Sequence, residues 1–292
     1  MELCRQCPRN CGVNRADRPG FCQAPELPLI ARAAPHFGEE PCISGPRGSG
    51  TVFFAGCNLR CVFCQNHEIS RGKAGKAVTR DELQDILLRL RDQGVHNINL
   101  VTPSHYVSVI ADVLERVDLG IPVVWNSSGY DSVESLRQLE GKVQIYLPDF
   151  KYADPELART YSAAPDYPEV ALAAIREMYR QTGPYRLDEE GMMQQGVLIR
   201  HLILPEHPKN TKDVLRLVSE TLPKGTFLFS LMSQYTPMPG LEAWPELTKT
   251  VTPALSEFCY RYMLRCGIED GFYQDVSAAT DEMIPDFDLT GV

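Results

Sequence analysis

The stretch FFAGCNLRCVFCQN, residues 53–66, sets three cysteines at C-x3-C-x2-C directly behind an apolar run. Residues 51–56, TVFFAG, read as a buried strand, so Cys57, Cys61 and Cys64 fall in the loop at its carboxyl end. Parallel α/β folds gather their chemistry in such loops. Two metal chemistries match the spacing. A tetrahedral zinc would take the three thiolates together with His67, whereas in a [4Fe–4S] cube each cysteine would hold one iron. The cube leaves one iron with no protein ligand, open to a substrate or cofactor, which accounts for a motif that stops at three.

Downstream, short apolar runs alternate with helical patterns. Thr79 and Glu82 form a capping box, followed by the stripe Leu83, Ile86, Leu87 and Leu90, which Gly94 ends. Strands are expected at 97–101, 121–125, 143–147, 197–204 and 226–231, and helices near 131–140, 168–182, 211–222 and 252–266. This β-α alternation predicts a parallel sheet with helical crossovers, either doubly wound or a full or partial (β/α) barrel. Polar residues follow the strands: TPSHY at 102–106, NSSGY at 126–130 and PDFKY at 148–152.

The chain has 292 residues, a formal charge of -9 and ten cysteines. An acidic balance without a basic stripe argues against nucleic acid as a partner. No apolar stretch is long enough for a membrane helix, and MELCRQCPRN lacks the apolar core of a signal peptide, so a cytoplasmic location is expected. In that setting clustered cysteines are metal ligands more often than disulfides. Eight of the ten lie in the first 64 residues. Cys4, Cys7, Cys11 and Cys22, spaced x2, x3 and x10, fit a second site holding zinc or an iron–sulfur cluster. Cys42 reads as a buried small residue, and Cys259 and Cys266 as core filler; His36, Glu39 and Glu40 form a polar cluster.

The cysteine spacing, with Phe63 just before the last thiol, resembles the signature of the radical S-adenosylmethionine superfamily. Asp149 and Lys151 in LPDFK, and Arg200 in IRHLILP, look like the corresponding residues of pyruvate formate-lyase activating enzymes. The resemblance covers roughly residues 50–275. It implies a partial (β/α)6 TIM-like barrel (51–275); composition sets a Cys-rich metal-binding element (1–50) ahead of it, and the tail (276–292), poor in apolar residues, would either cover the barrel mouth or form a loose terminus. It implies a [4Fe–4S] cluster on Cys57, Cys61 and Cys64, with S-adenosylmethionine chelating the open iron. Reduction would then yield methionine and a 5'-deoxyadenosyl radical that abstracts a hydrogen. Phe63, Thr102, Ser104, Asn126, Ser127, Asp149, Lys151 and Arg200 would line that cofactor, with a flavodoxin- or ferredoxin-type protein as reductant. The substrate implied is a glycine of a partner glycyl radical enzyme; a small molecule or peptide is the alternative, and an electron carrier without catalysis the reading from another class. Two departures stand out. TPSHY replaces the usual Gly-Gly-Glu, and SLMSQYTP carries Gln234 where the activating enzymes have a histidine.

Overall fold

The computed structural model describes residues 3–71, 74–274 and 285–292. Among the described residues ten strands form one sheet: β1 (Leu29–His36), β2 (Ser49–Phe54), β3 (Lys76–Ala77), β4 (Ile98–Val101), β5 (Val123–Ser127), β6 (Ile145–Pro148), β7 (Arg186–Leu187), β8 (Met193–Leu202), β9 (Leu228–Met232) and β10 (Gly271–Gln274). Their order is β10-β9-β8-β6-β5-β4-β2-β1-β3, with β7 paired to β8. From β2 to β10 along this path every pairing is parallel, while β1 is antiparallel to both β2 and β3. The sheet ends at β3 and β10 without closing, as expected of a partial barrel. One more parallel strand is present than the sequence implied, because β10 joins β9.

Helices α1 (Pro41–Ser44), α2 (His67–Ser70), α3 (Arg80–Asp92), α4 (Val107–Arg116), α5 (Val133–Arg137), α6 (Pro155–Ser162), α7 (Tyr167–Thr182), α8 (Pro208–Thr221) and α9 (Pro253–Arg265) accompany the strands. Thr79 caps α3 with the full reciprocal box to Glu82. Strand alternation divides the core in two. Trp125, Tyr146, Val197, Ile199 and Phe229 pack outward in the main helix-covered core. Their neighbours Val124, Ile145, Leu147, Leu198 and Leu228 point the other way and enclose Cys42 and Ile43 of α1. The short helix thus fills the apolar floor of the barrel. Residues 29–50, grouped by composition with the cysteine-rich start, are therefore built into the sheet and its interior. Their strand is hard to read because Ala31, Ala33, Ala34 and Pro35 are weak strand formers.

Residues 285–292 return to the free edge of β1: Leu289 N donates to Ala31 O and Thr290 O accepts from Ala33 N, at 3.0 and 2.8 Å. Phe287 packs edge-on against Phe53, with centroids 5.5 Å apart. The expected tail over the mouth begins within 275–284, which lie outside the described residues. Among the described residues, no helix is long and apolar enough to cross a membrane.

His201, on the outer face of β8, is buried between Phe150 O and Thr211 Oγ1 at 2.7 and 2.9 Å. Burial holds its pKa down to about 4, and Lys151 lowers it further while the Phe150 carbonyl and Asp149 oppose. A depressed histidine pKa gives stability that is present above the unfolded value and lost as pH falls. Between pH 7.5 and 5.5 this group should cost the fold about 1.4 kcal/mol, because the unfolded imidazole gains its proton first. His201→Gln should remove that part of the slope. Urea midpoints at the two pH values test it, and equal slopes for the two proteins would refute it.

Candidate active site

The loop after β2 turns at Gly56, whose φ is +85°. A Cβ at this position would stand 2.8 Å from Cys22 O, so the turn has room for glycine alone. Cys57, Cys61 and Cys64 follow, all free, and line one cavity of about 500 Å³. Each sulfur meets a donor. The Leu59 amide lies 3.4 Å from Cys57 Sγ, Ser162 Oγ lies 3.0 Å from Cys61 Sγ, and the Ser70 hydroxyl and Asn66 amide approach Cys64. Burial, reinforced by Cys61 and Cys64, pushes the Cys57 thiol up to about 12, and Cys64 is raised for the same reason. Cys57 and Cys64 therefore hold their protons until a cationic centre replaces them.

His67 is exposed and stands outside the cavity, which removes it as a fourth zinc ligand. Among the described residues, no three His, Cys, Asp or Glu side chains meet as ligands of one metal ion. A cube suits this loop better, since it spreads three thiolates over three irons.

The strand ends bring most of the other expected residues to the same cavity: Phe63, Thr102, Asn126, Ser127, Asp149, Lys151 and Arg200 line it. Phe63 is buried against the edge of Tyr235. Thr102 has a φ of +59°, a left-handed conformation that a β-branched residue adopts only at a cost, and its amide is tied to Asn126 O at 2.9 Å. Ser104 is the exception. It is buried in the turn after β4 and its hydroxyl bonds to Asp131, away from the cavity. His105 is likewise buried, held to Ala55 O at 2.9 Å, with its pKa lowered to about 3 by burial.

Arg200 organises the polar wall. Its Nε donates to Asp149 Oδ1 (3.0 Å), Nη1 to Glu39 Oε2 (2.9 Å) and Nη2 to Asn126 Oδ1 (2.6 Å). Lys151 Nζ holds the other oxygen of Asp149 at 2.6 Å. Burial would raise the Asp149 pKa, but Lys151 and Arg200 together keep it below the ordinary carboxylate value. The sequence placed Glu39 in a loose polar cluster and gave it no partner. Here its Oε1 also accepts from Asn99 and Asn126, each at 3.0 Å, so the segment ahead of α1 is clamped to three barrel strands. No local pattern reveals that contact, which joins residues 161 positions apart.

Among the described residues, two buried polar atoms of cavity residues lack a partner, Ser128 Oγ and Gln234 Oε1, leaving hydrogen-bonding capacity for a bound group. Tyr167 fixes this wall from behind: its hydroxyl donates toward Ser128 O and Asp149 O, at 2.8 and 2.9 Å, and accepts from Lys151 N at 2.9 Å. Gly129, at φ +73°, lets the two loops touch, since a Cβ there would stand 2.1 Å from Asp149 O. Gly129→Ala should destabilise the fold by about 3 kcal/mol, combining left-handed strain with a backbone clash. Thermal unfolding measures it; a loss below about 1 kcal/mol would mean that the loops separate freely.

Comparison with known proteins agrees with this construction. Residues 51–218 match the Radical SAM superfamily. An uncharacterised protein of Methanocaldococcus jannaschii is 31% identical over 262 residues, covering 86% of this chain and 71% of that protein. The pyruvate formate-lyase-activating enzyme of Clostridium pasteurianum is 26% identical over 123 residues, 39% of this chain and 50% of the enzyme. The crystal structure of Streptococcus suis SuiB bound to S-adenosylmethionine aligns with a TM-score of 0.54 at 14% identity, covering 77% of this chain and 50% of that one, a likeness of fold. With its parallel open sheet and the cysteine loop at the end of β2, this chain belongs to the radical S-adenosylmethionine superfamily.

Proposed function

We propose that the cavity at the end of β2 is where this enzyme binds and cleaves S-adenosylmethionine, and that the hydrogen abstracted comes from a peptidyl carbon, such as a glycine of a partner protein. The observation that carries the reading is the opening of Cys57, Cys61 and Cys64 onto one cavity with Asp149, Lys151 and Arg200. In this reading the three cysteines hold a [4Fe–4S] cluster, which supplies the electron that splits the cofactor's carbon–sulfur bond. Phe63 offers an apolar face for the adenine. Lys151 and the Arg200 donors not used internally attract the carboxylate, while Asp149 sets their positions. Thr102, Asn126 and Ser127 supply neutral polar contacts, and Ser128 and Gln234 contribute the unpartnered atoms. Water is held off by Phe53, Phe54, Leu59 and Tyr235 on the same walls.

The peptidyl substrate is supported by the carboxamides Gln65, Asn66, Gln234 and Gln274 on the cavity, groups with both a donor and an acceptor to match the N–H and C=O of a peptide backbone. Gln234, at the position of the missing histidine, bonds to Gln274. An exchangeable reductant of the flavodoxin or ferredoxin type completes the proposal.

The test is anaerobic. The reconstituted, reduced protein is given S-adenosylmethionine, and 5'-deoxyadenosine is quantified with and without peptides deuterated at glycine. Product with deuterium in its methyl group supports both halves of the reading. Product without deuterium from any peptide refutes the peptidyl substrate, and no product from an intact reduced cluster refutes the cleavage.

A further inference from the structure

We propose that Cys4, Cys7, Cys11 and Cys22 form a second thiolate-bound metal centre, zinc or iron–sulfur, docked against the loop of Cys57 and Cys61. The described part of the segment, residues 3–28, contains neither helix nor strand, and only Cys7, Gly20, Cys22, Ala24 and Pro28 are buried in it. No branched apolar side chain lies among those five. Two cysteines take the place that a hydrophobic core would fill, so a metal on the thiols would add the interior support that hydrogen bonds at the edges of this segment do not give. The backbone brings the four together: Gly12 N, next to Cys11, donates to Cys4 O at 3.0 Å, and Phe21 N, next to Cys22, donates to Cys11 Sγ at 3.3 Å, while Cys7 lies among the other three. None is paired in a disulfide.

The second observation is how the sulfurs are dressed. Backbone amides point at three of the four: Arg9 at Cys7, Ala24 at Cys22, and Phe21 at Cys11, the last at 3.3 Å. A neutral thiol is a weak acceptor, so an amide aimed at sulfur matters chiefly when the sulfur carries charge. The loop after β2 uses the same device at the offset seen for Cys7 and Cys22, Leu59 to Cys57 and Asn66 to Cys64, each two residues on. Gly20 keeps the space beside Cys11 clear, for a Cβ there would lie 3.1 Å from its sulfur. Neither set of cysteines closes on a single point, so the amide pattern and the gathering, not a finished ion geometry, carry the inference.

The segment is gripped by the neighbouring loop. Cys22 O accepts from Cys57 N at 3.3 Å. Arg9 donates to Asn58 O and Ala163 O, at 2.8 and 2.7 Å. Arg60 donates to Phe21 O, and the Arg9 and Arg60 guanidinium groups lie over the Phe21 ring at 3.8 and 4.5 Å. A metal at the four cysteines would thus fix the frame on which Cys57 sits.

The experiment removes the first centre to count the second. The full chain carrying Cys57→Ala, Cys61→Ala and Cys64→Ala is produced with iron and zinc supplied, purified anaerobically, and assayed for iron, acid-labile sulfide and zinc. About one zinc, or one cluster with matching sulfide, should remain per chain, and adding Cys4→Ser and Cys11→Ser should lower it at least about tenfold. Zinc without sulfide identifies the single ion, and iron with sulfide the cluster. A folded triple variant with no stoichiometric metal overturns the proposal, as does metal that survives the serine substitutions. Should the serine variant fail to fold, alkylation of the triple variant decides: its remaining thiols at positions 4 and 11 should become reactive only after a chelator is added, and equal reactivity beforehand overturns the site.

Discussion

Cys61→Ala is expected to reduce 5'-deoxyadenosine formation to background and to abolish the S-adenosylmethionine-dependent change in the electron paramagnetic resonance of the reduced cluster. Cys61 is half-buried, and its sulfur accepts from Ser162 Oγ at 3.0 Å. Truncation leaves a small gap and one unused hydroxyl, so the fold should lose only about 1 kcal/mol. A centre held by three thiolates has no spare ligand, and His67 is exposed outside the cavity and unable to substitute. Stability and function should therefore separate: near-wild-type unfolding beside complete loss of product. Full iron content with normal product would show that Cys61 is not a ligand. A collapse of the fold would show that its role is structural.

The parts of this molecule that were legible in its sequence share one property: they are written in consecutive residues. The cysteine loop, the Thr79 capping box and the apolar runs of β4, β5 and β9 each depend on neighbours within a few positions. So do the polar residues at the strand ends, because a parallel strand delivers the residue after its last apolar position to the site. What could not be read depends on packing over long separations. Glu39 reaches Arg200 only because α1 enters the barrel floor, and α1 enters it only because β1 reverses the chain beside β2. Ser104 looked equivalent to Thr102, two residues earlier. The left-handed backbone at Thr102 and the turn that follows take the Ser104 hydroxyl to Asp131 instead. The strand β10 is four residues, and its Gly271 passes against Phe229, where the backbone would tolerate no side chain.

Arg200→Leu should be the most destabilising change on the cavity wall, at about 3–5 kcal/mol, since it removes the cation between two carboxylates that are no more than a fifth exposed. Asp149 would keep Lys151, but Glu39 would be left with only the amides of Asn99 and Asn126. Those neutral donors cannot match a charged fork at 2.9 Å. The cost is thus mainly that of a stranded carboxylate, and this gives the prediction a second arm. Adding Glu39→Gln to Arg200→Leu removes the stranded charge while keeping an acceptor for the two asparagines. The double variant should recover about 1–2 kcal/mol relative to Arg200→Leu alone, although Glu39→Gln by itself is destabilising. Denaturant titrations of the four proteins complete the cycle. A strictly additive result would mean that the bridge between the N-terminal segment and β8 contributes nothing, and that α1 is held in the barrel by its apolar contacts alone. A positive coupling would establish that the residues ahead of α1 set the position of the cation facing the cavity, and hence that the chain preceding the cysteine loop helps to shape the site the loop opens onto.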